Sequence, residues 1–306
     1  MNANLTLPNP PRSRMLGKSG IEVSSLAWGM WRFAGRDIAE AEQLANAAFE
    51  SGITFFDTAD IYGFVSPGVG FGDAEELLGQ VFDRNPGMRD QMVLATKGGI
   101  MPPIPYDSSA TYLSSAIDAS LKRLKTDRVD LWQIHRPDVL THPQEIARTI
   151  ENAMKSGKVR AFGVSNYTQA QIAALAQFVD APIVSTQPEI SPVRIDCIEN
   201  GELDQAIAMD MAVLAWSPLG GGRIADPQND RERAVAAALS GVAAAHGVSR
   251  TAAAYSWIMA HPARPIPIVG SQNPARITEA ADAYKIQWTR ADWYAVLVAA
   301  RGVPLP

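Results

Sequence analysis

Cysteine is nearly missing from this chain: 306 residues carry one, Cys197. One thiol can neither close an internal bridge nor build a zinc knuckle, so a disulfide-stapled scaffold is excluded and a reducing cytoplasm is the expected compartment. Histidine is also scarce, and His142, His246 and His261 have no ligand partners at metal spacing, so capping or surface roles are expected and no metal. A basic excess is absent as well. Lys plus Arg is 27 against 32 for Asp plus Glu, a formal charge of -5, which leaves no electrostatic footprint for nucleic acid or an anionic membrane. No apolar run reaches 18 residues, and the polar, Pro-containing start lacks the apolar region of a signal peptide. Residues 1–14 are expected to form a flexible leader.

What is present suffices for a large core: 47% of residues are apolar and 19% charged, with mean hydropathy near zero. Length alone would allow two domains. The chain nevertheless shows no compositional break, and short apolar runs alternate with helical patterns eight times, as repeated βα units do. The expected strands are Val23 to Gly29, Ile53 to Asp57, Met92 to Lys97, Val129 to Ile134, Val159 to Ser165, Pro182 to Gln187, Ala212 to Trp216 and Ile266 to Gly270. Most are too apolar to expose a face. Between them, Ile38, Ala41, Ala45, Ala48 and Phe49 recur at helical spacing before Ser51-Gly52, and Ile146, Ile150, Ala153 and Met154 end the same way at Ser156-Gly157. Pro143 and Pro274 suit first helical turns. Eight units in about 250 residues predict an α/β fold, a single (β/α)8 TIM barrel over residues 1–306 with an amino-terminal hairpin and extra helices. Residues Met15 to Glu22 supply the hairpin turn, expected to plug one end. The runs Phe64 to Gly72 and Met101 to Ser108 read as long loops shaping a substrate site. Ala234 to Ala245 reads as an outer helix, and a last helix over Arg290 to Arg301 leaves little chain for a lid.

In such a barrel the carboxyl ends of the strands meet at one mouth, where Asp57, Tyr62, Lys97 and His135 stand out. Each has a bland alternative. Asp57 suits a turn cap, Tyr62 a packing aromatic, Lys97 a snorkelling cation and His135 a satisfied core histidine. Together they are chemically complementary. A phenol is too weak an acid to donate readily at neutral pH, a buried Lys favours its phenolate, and an Asp keeps that Lys charged. His135 would polarise the oxygen that receives the proton. A proton donor and a carbonyl-orienting group, with no metal cluster or nucleophile elbow, call for a partner that brings hydride.

These residues resemble those of an aldo-keto reductase of the bacterial type with a short carboxyl-terminal tail. Leu16-Gly-Lys-Ser-Gly-Ile-Glu-Val-Ser resembles the family's opening hairpin. Phe56-Asp-Thr-Ala-Asp-Ile-Tyr-Gly followed by Ala74-Glu-Glu-Leu-Leu-Gly resembles its first signature, and Leu121-Lys-Arg-Leu-Lys-Thr-Asp-Arg-Val-Asp-Leu its helix-to-strand segment. The resemblance implies a catalytic tetrad of Asp57, Tyr62, Lys97 and His135, with Tyr62 as general acid, and NADPH (NADP+) as cofactor. It implies cofactor contacts at Gly29 and Met30, at Ser165, Asn166 and Gln187 around the carboxamide, and at Trp216 stacked on the nicotinamide where the family usually carries Tyr. Ser217, Leu219 and Gly221 would wrap the pyrophosphate, and Gly270, Ser271, Arg276 and Glu279 would meet the adenine and 2′-phosphate end. A Rossmann reading fails: no G-x-G-x-x-G follows the first strand, and Gly68-Val-Gly-Phe-Gly-Asp lacks the third glycine. Trp28 and Trp31 read either as lining the substrate pocket or as structural.

The expected activity is NADPH-dependent reduction of an aldehyde or ketone to the alcohol. The reading from another class is an NADPH-binding regulatory or sensor subunit with little turnover. No Arg or Lys cluster is evident to clamp an anion, so the expected partner is a small apolar or neutral carbonyl substrate, with neither nucleic acid nor membrane, and a monomer is the expected state.

Overall fold

The computed structural model describes residues 5–65 and 70–305. Residues 1–4 of the expected leader and 66–69 of the Phe64 to Gly72 run, which include Gly68, lie outside the described residues. Two strands, β1 (Ser13–Met15) and β2 (Glu22–Ser24), pair antiparallel, and eight more close a barrel. These are β3 (Ala27–Gly29), β4 (Phe55–Asp57), β5 (Val93–Gly98), β6 (Val129–Ile134), β7 (Val159–Ser165), β8 (Ile183–Gln187), β9 (Ala212–Ala215) and β10 (Ile266–Val269). Neighbours pair parallel in chain order, and β10 closes on β3. The expected Val23 to Gly29 strand is divided. The Ser24 hydroxyl donates to Leu26 O and accepts from the Thr54 and Phe55 N–H groups, so the chain turns there from the hairpin into the barrel.

Strand residues alternate in direction, and here both faces are buried. One set, including Ala27, Phe55, Ala95, Leu131, Ala161, Val184, Leu214 and Ile266, fills the interior. The other, including Trp28, Phe56, Leu94, Trp132, Phe162 and Val213, packs under the helices. That double burial is why the strands read as continuous apolar runs. The hairpin contributes Leu16, Ile21 and Val23 to the interior cluster and so plugs one end. Gly17, at φ 51°, lies so close to the barrel that a Cβ would stand 2.4 Å from Val184 O.

The helices follow local signals. They are α1 (Ile38–Glu50), α2 (Asp73–Arg84), α3 (Ala110–Leu124), α4 (Pro143–Lys155), α5 (Gln169–Ala176), α6 (Asp196–Glu199), α7 (Glu202–Met209), α8 (Asp230–His246), α9 (Arg250–Met259), α10 (Pro274–Ala280) and α11 (Arg290–Arg301). Asp37 caps α1, whose Ala41, Leu44, Ala45 and Ala48 are buried, and Gly52 then takes a positive φ. His142 caps α4 through Nδ1, while His246 and His261 also bond local backbone. Within the expected leader, Leu7 donates to Trp288 O at 2.8 Å, and Thr6 bridges Thr289 ahead of α11. Among the described residues no helix is long and apolar enough to cross a membrane.

Candidate active site

The strand ends bring the four expected residues together. Asp57 ends β4, Lys97 lies near the end of β5, His135 follows β6, and Tyr62 stands on the segment after β4. Lys97 is fully buried and its Nζ donates to Asp57 Oδ2 at 2.6 Å and to Thr58 O at 2.7 Å. The same ammonium lies 5.0 Å from the Tyr62 ring centroid, and the His135 ring meets Tyr62 edge-on at 5.9 Å. Trp31 covers another side of Tyr62, edge-on at 5.2 Å.

A buried ammonium survives only when its charge is matched. Burial pushes Lys97 toward neutrality, but Asp57 and Tyr62 outweigh it and the net direction is upward, so Lys97 stays charged. Burial pushes the Tyr62 phenol up; Lys97 pulls it down, Asp57 pushes it back, and the net direction is also upward. This corrects the simple expectation that Lys97 would leave Tyr62 a stronger acid than free tyrosine: Lys97 limits a rise that burial imposes. Burial, then Lys97 and Arg136, hold His135 well below the usual imidazole range, hence neutral at pH 7. A neutral phenol beside a neutral imidazole offers two O–H or N–H groups to one carbonyl oxygen.

Asp57 is held by a polar layer of which the sequence resemblance singled out only Gln187, and that as a cofactor contact. Asp57 Oδ1 accepts from Gln187 Nε2 at 3.0 Å and from Gln133 Nε2 at 3.4 Å, and the Ser185 hydroxyl donates to Gln133 Oε1. A glutamine inside the apolar strand Val129–Ile134 was the available signal for Gln133, because a buried amide needs partners.

The residues expected to hold a cofactor border the same mouth. Asn166, at φ 59°, donates from Nδ2 to His135 O and Ser165 Oγ, and its Oδ1 accepts from Trp216 Nε1 at 3.0 Å. The Ser165 hydroxyl donates to Gln187 O. Ser217 and Gly220, Gly221 and Gly222 all have positive φ, and Gly221 and Gly222 have open space where side chains would stand. Such backbone lets phosphates approach closely, so the residues fit a dinucleotide. Leu219 is half-buried against the core. Gly270 is exposed, Ser271 and Glu279 are half-buried, and Arg276 is exposed in the first turn of α10 with no salt bridge among the described residues. Gln272 Nε2 fastens this segment to Gly29 O. Gly29 and Met30 are buried, and the Met30 N–H donates to Asp57 O at 3.0 Å.

The two tryptophans separate. Trp31 is 64% exposed at the mouth, whereas Trp28 is fully buried against Phe33 and Phe56 with its Nε1 donating to Ser271 O. Trp28 is therefore corrected from a pocket residue to a wall residue bracing the segment after β10. Asp138 ties two rim loops together by accepting from Ser108 N and Thr141 Oγ1. A cavity of about 270 Å³ bordered by Arg194, Glu199, Arg231 and Arg301 includes none of the four central residues.

Comparison with known proteins agrees with this geometry. Residues 25–297 match the model of the Aldo/keto reductase family. The chain is 63% identical over 302 residues to a 6-dehydroglucose reductase of Novosphingobium aromaticivorans, covering 98% of this chain and 99% of that protein. It is 34% identical to a 6-dehydroglucose reductase of Agrobacterium fabrum, covering 92% and 96%, and 33% identical to oxidoreductase YdhF of Escherichia coli, covering 95% and 98%. The crystal structure of the thermostable aldo-keto reductase Tm1743 with the inhibitor epalrestat superimposes with a TM-score of 0.80 at 23% identity, over 94% of this chain and 99% of that one, a likeness of fold. The chain belongs to the aldo/keto reductase family and is an NAD(P)H-dependent oxidoreductase.

Proposed function

We propose that the protein reduces an aldehyde group on a small neutral sugar to the alcohol, with NADPH as cofactor and Tyr62 as the general acid. The observation that carries the chemistry is the buried Asp57–Lys97 pair beside Tyr62, with a neutral His135 facing the same ring. When bound, the dinucleotide supplies hydride to the carbonyl carbon. His135 and Tyr62 hold the carbonyl oxygen, and Tyr62 gives up its phenolic proton to it as negative charge develops. Lys97 keeps the resulting phenolate tolerable, and Asp57, fixed by Gln133 and Gln187, keeps Lys97 charged and in place. Ser165, Asn166 and Gln187 are assigned to the carboxamide, Trp216 to the nicotinamide face, Ser217, Leu219 and Gly221 to the pyrophosphate, and Ser271 and Arg276 to the 2′-phosphate.

The sugar follows from the 63% identity over nearly the whole chain to a protein named for 6-dehydroglucose. It suits the absence of a basic cluster in the sequence, and exposed Trp31 beside Tyr62 offers an apolar ring face of the kind pyranose C–H groups stack on. The cytoplasm is the compartment we assign, on the lone Cys197. NADPH consumption with 6-dehydroglucose, simple aliphatic aldehydes and aromatic aldehydes, ranked by kcat/KM, tests the reading. A sugar aldehyde should lead the panel. Faster turnover of apolar aldehydes would overturn the substrate, and no turnover beyond one equivalent of NADPH with any carbonyl would overturn the enzymatic role in favour of a sensor.

A further inference from the structure

Behind the barrel wall, between the carboxyl-terminal ends of β4 and β5 and the helices α2 and α3, two carboxyl groups are fully buried and the proposed chemistry uses neither. Glu75 of α2 and Asp60, two residues before Tyr62, are both at 0% exposure. Glu75 is well provided for. Arg123 of α3 reaches its Oε2 through Nε at 2.8 Å and Nη2 at 2.7 Å, and the Thr96 hydroxyl donates to Oε1. Asp60 is not: its Oδ2 accepts one long bond from the Tyr112 hydroxyl at 3.4 Å, and its Oδ1 is buried with no partner among the described residues. Arg123 bonds Glu75 and acts on Asp60 only through its charge, so the two carboxyls hold one proton between them if the cluster is neutral, and the poorer site keeps it.

We propose that Asp60 is a positioning residue for Tyr62, acting from behind the wall as the protonated member of a buried Asp60–Glu75 pair that shares the charge of Arg123. The inference rests on Tyr62 being the proton donor. The link is short: the Asp60 N–H donates to Lys97 O at 2.9 Å, and the Tyr62 N–H closes the same turn on Ala59 O at 3.1 Å. The titratable and charged groups that act on Asp60 are Glu75 from α2 and Arg123 and Tyr112 from α3, with Tyr62 on its own segment. Burial and then Glu75 push its carboxyl well above the usual range, against Arg123 and Tyr112. Burial is the main cause that raises Tyr62, and an ionised Asp60 adds to it. As the pH rises, Asp60 releases its proton to solvent, its charge stays behind the wall, and Tyr62 becomes a weaker acid. Reduction should therefore slow before Tyr62 itself titrates.

Asp60→Asn keeps the shape and removes the titrating proton. Because folding raises this carboxyl, the native state takes up a proton above the unfolded value near 3.9, and wild type loses stability as the pH rises from there through the folded value. The melting temperature of Asp60→Asn should thus gain on wild type between pH 5 and 8, by about 5 °C or more. This measurement needs no turnover. In single-turnover reduction of 4-nitrobenzaldehyde by the NADPH-loaded enzyme, wild type should show an alkaline step that the variant lacks, with the variant about tenfold faster above it, the order expected for one nearby charge. A melting gap that stays constant with pH, or rate profiles of the same shape, would overturn the proposal. Should Asp60→Asn fail to fold, Glu75→Gln decides: freeing Arg123 for Asp60 should move the alkaline step to lower pH, and an unmoved step overturns it. Tyr62→Phe separates the two ideas, since full activity there defeats the proton-donor reading while the melting titration still reports the proton on Asp60.

Discussion

The two ends of the barrel are made from the same strands and behave as opposites. At the plugged end, Leu16, Ile21 and Val23 of the hairpin are buried against interior residues such as Phe55 and Leu131, and Gly17 touches backbone. At the mouth the buried residues are Asp57, Lys97, His135 and Gln187, and the rim exposes Trp31, Val139 and Leu140. The contrast teaches a division of labour. A dry floor supplies stability and keeps water from the underside of the charged pair, which frees the strand ends and loops to carry groups that would weaken any core. The two ends should therefore break separately.

The largest effect belongs to the mouth. Tyr62→Phe deletes the proposed proton donor and little packing, so kcat should fall by about 10²- to 10⁴-fold, or roughly 3 to 5 kcal/mol of barrier, with NADPH affinity nearly kept. Single-turnover rates and a fluorescence titration of NADPH check both halves, and a variant with half the wild-type single-turnover rate would remove Tyr62 from the role. The floor should answer in the opposite currency. Gly17→Val forces a side chain into a positive-φ position, with Val184 O at 2.4 Å and Asp210 O at 2.7 Å from its Cβ. About 2 to 4 kcal/mol of stability should be lost in urea unfolding while the folded fraction keeps its kcat. A large loss of kcat at unchanged stability would mean the ends are coupled.

This contrast also explains what the sequence disclosed. Barrel strands buried on both faces leave apolar runs at regular intervals, so eight strands, their order in the chain and the capping residues Ser51-Gly52, Pro143 and Pro274 were legible. The break at Ser24 was not, because Val23 to Gly29 is uniformly compatible with a strand, and only the Ser24 hydroxyl bonds across to Thr54 and Phe55 reveal the turn. Asp57, Tyr62, Lys97 and His135 were legible because strand ends face one mouth. Whether a neighbouring residue faces in or out was not: Asp60 shares the motif yet points to α2 and α3, and Trp28 lies three residues from Trp31 but under the helices. The net rise of the Tyr62 phenol depends on burial depth, which no spacing encodes.

A smaller effect lies at the outer edge of the mouth. Arg276 is exposed and without a salt bridge among the described residues, and Asn273 caps its helix by accepting from the Ala275 and Arg276 N–H groups. If it meets the 2′-phosphate, Arg276→Ala should weaken NADPH by about 1.5 to 3 kcal/mol, roughly ten- to over a hundredfold, and leave NADH nearly unchanged. Fluorescence titration of both cofactors decides it. Equal losses would place Arg276 on a shared part of the cofactor, and equal wild-type affinities would sink the NADPH assignment.

The smallest effect distinguishes the buried histidine of the mouth from an ordinary one. Burial first, then the charges of Lys97 and Arg136, hold His135 well below its usual range, so the native state resists a proton that the unfolded chain accepts near pH 6.5. The sign follows: the contribution of His135 to stability is fully present above about pH 6.5 and is lost as the pH falls toward the folded-state value, because the unfolded state then binds more protons. One such group changes the unfolding free energy by at most about 1.4 kcal/mol per pH unit. Carboxylates add slopes of their own in the acid range, but they do so equally in a variant that lacks only this imidazole. His135→Gln should therefore show a shallower loss of stability than wild type between about pH 6.5 and 5, whatever its stability at pH 7.5. Urea unfolding of both proteins across that interval measures the difference in slope. Parallel profiles would mean that His135 is protonated as readily in the folded protein as in the unfolded chain, and the neutral imidazole on which the carbonyl-orienting role depends would have to be given up.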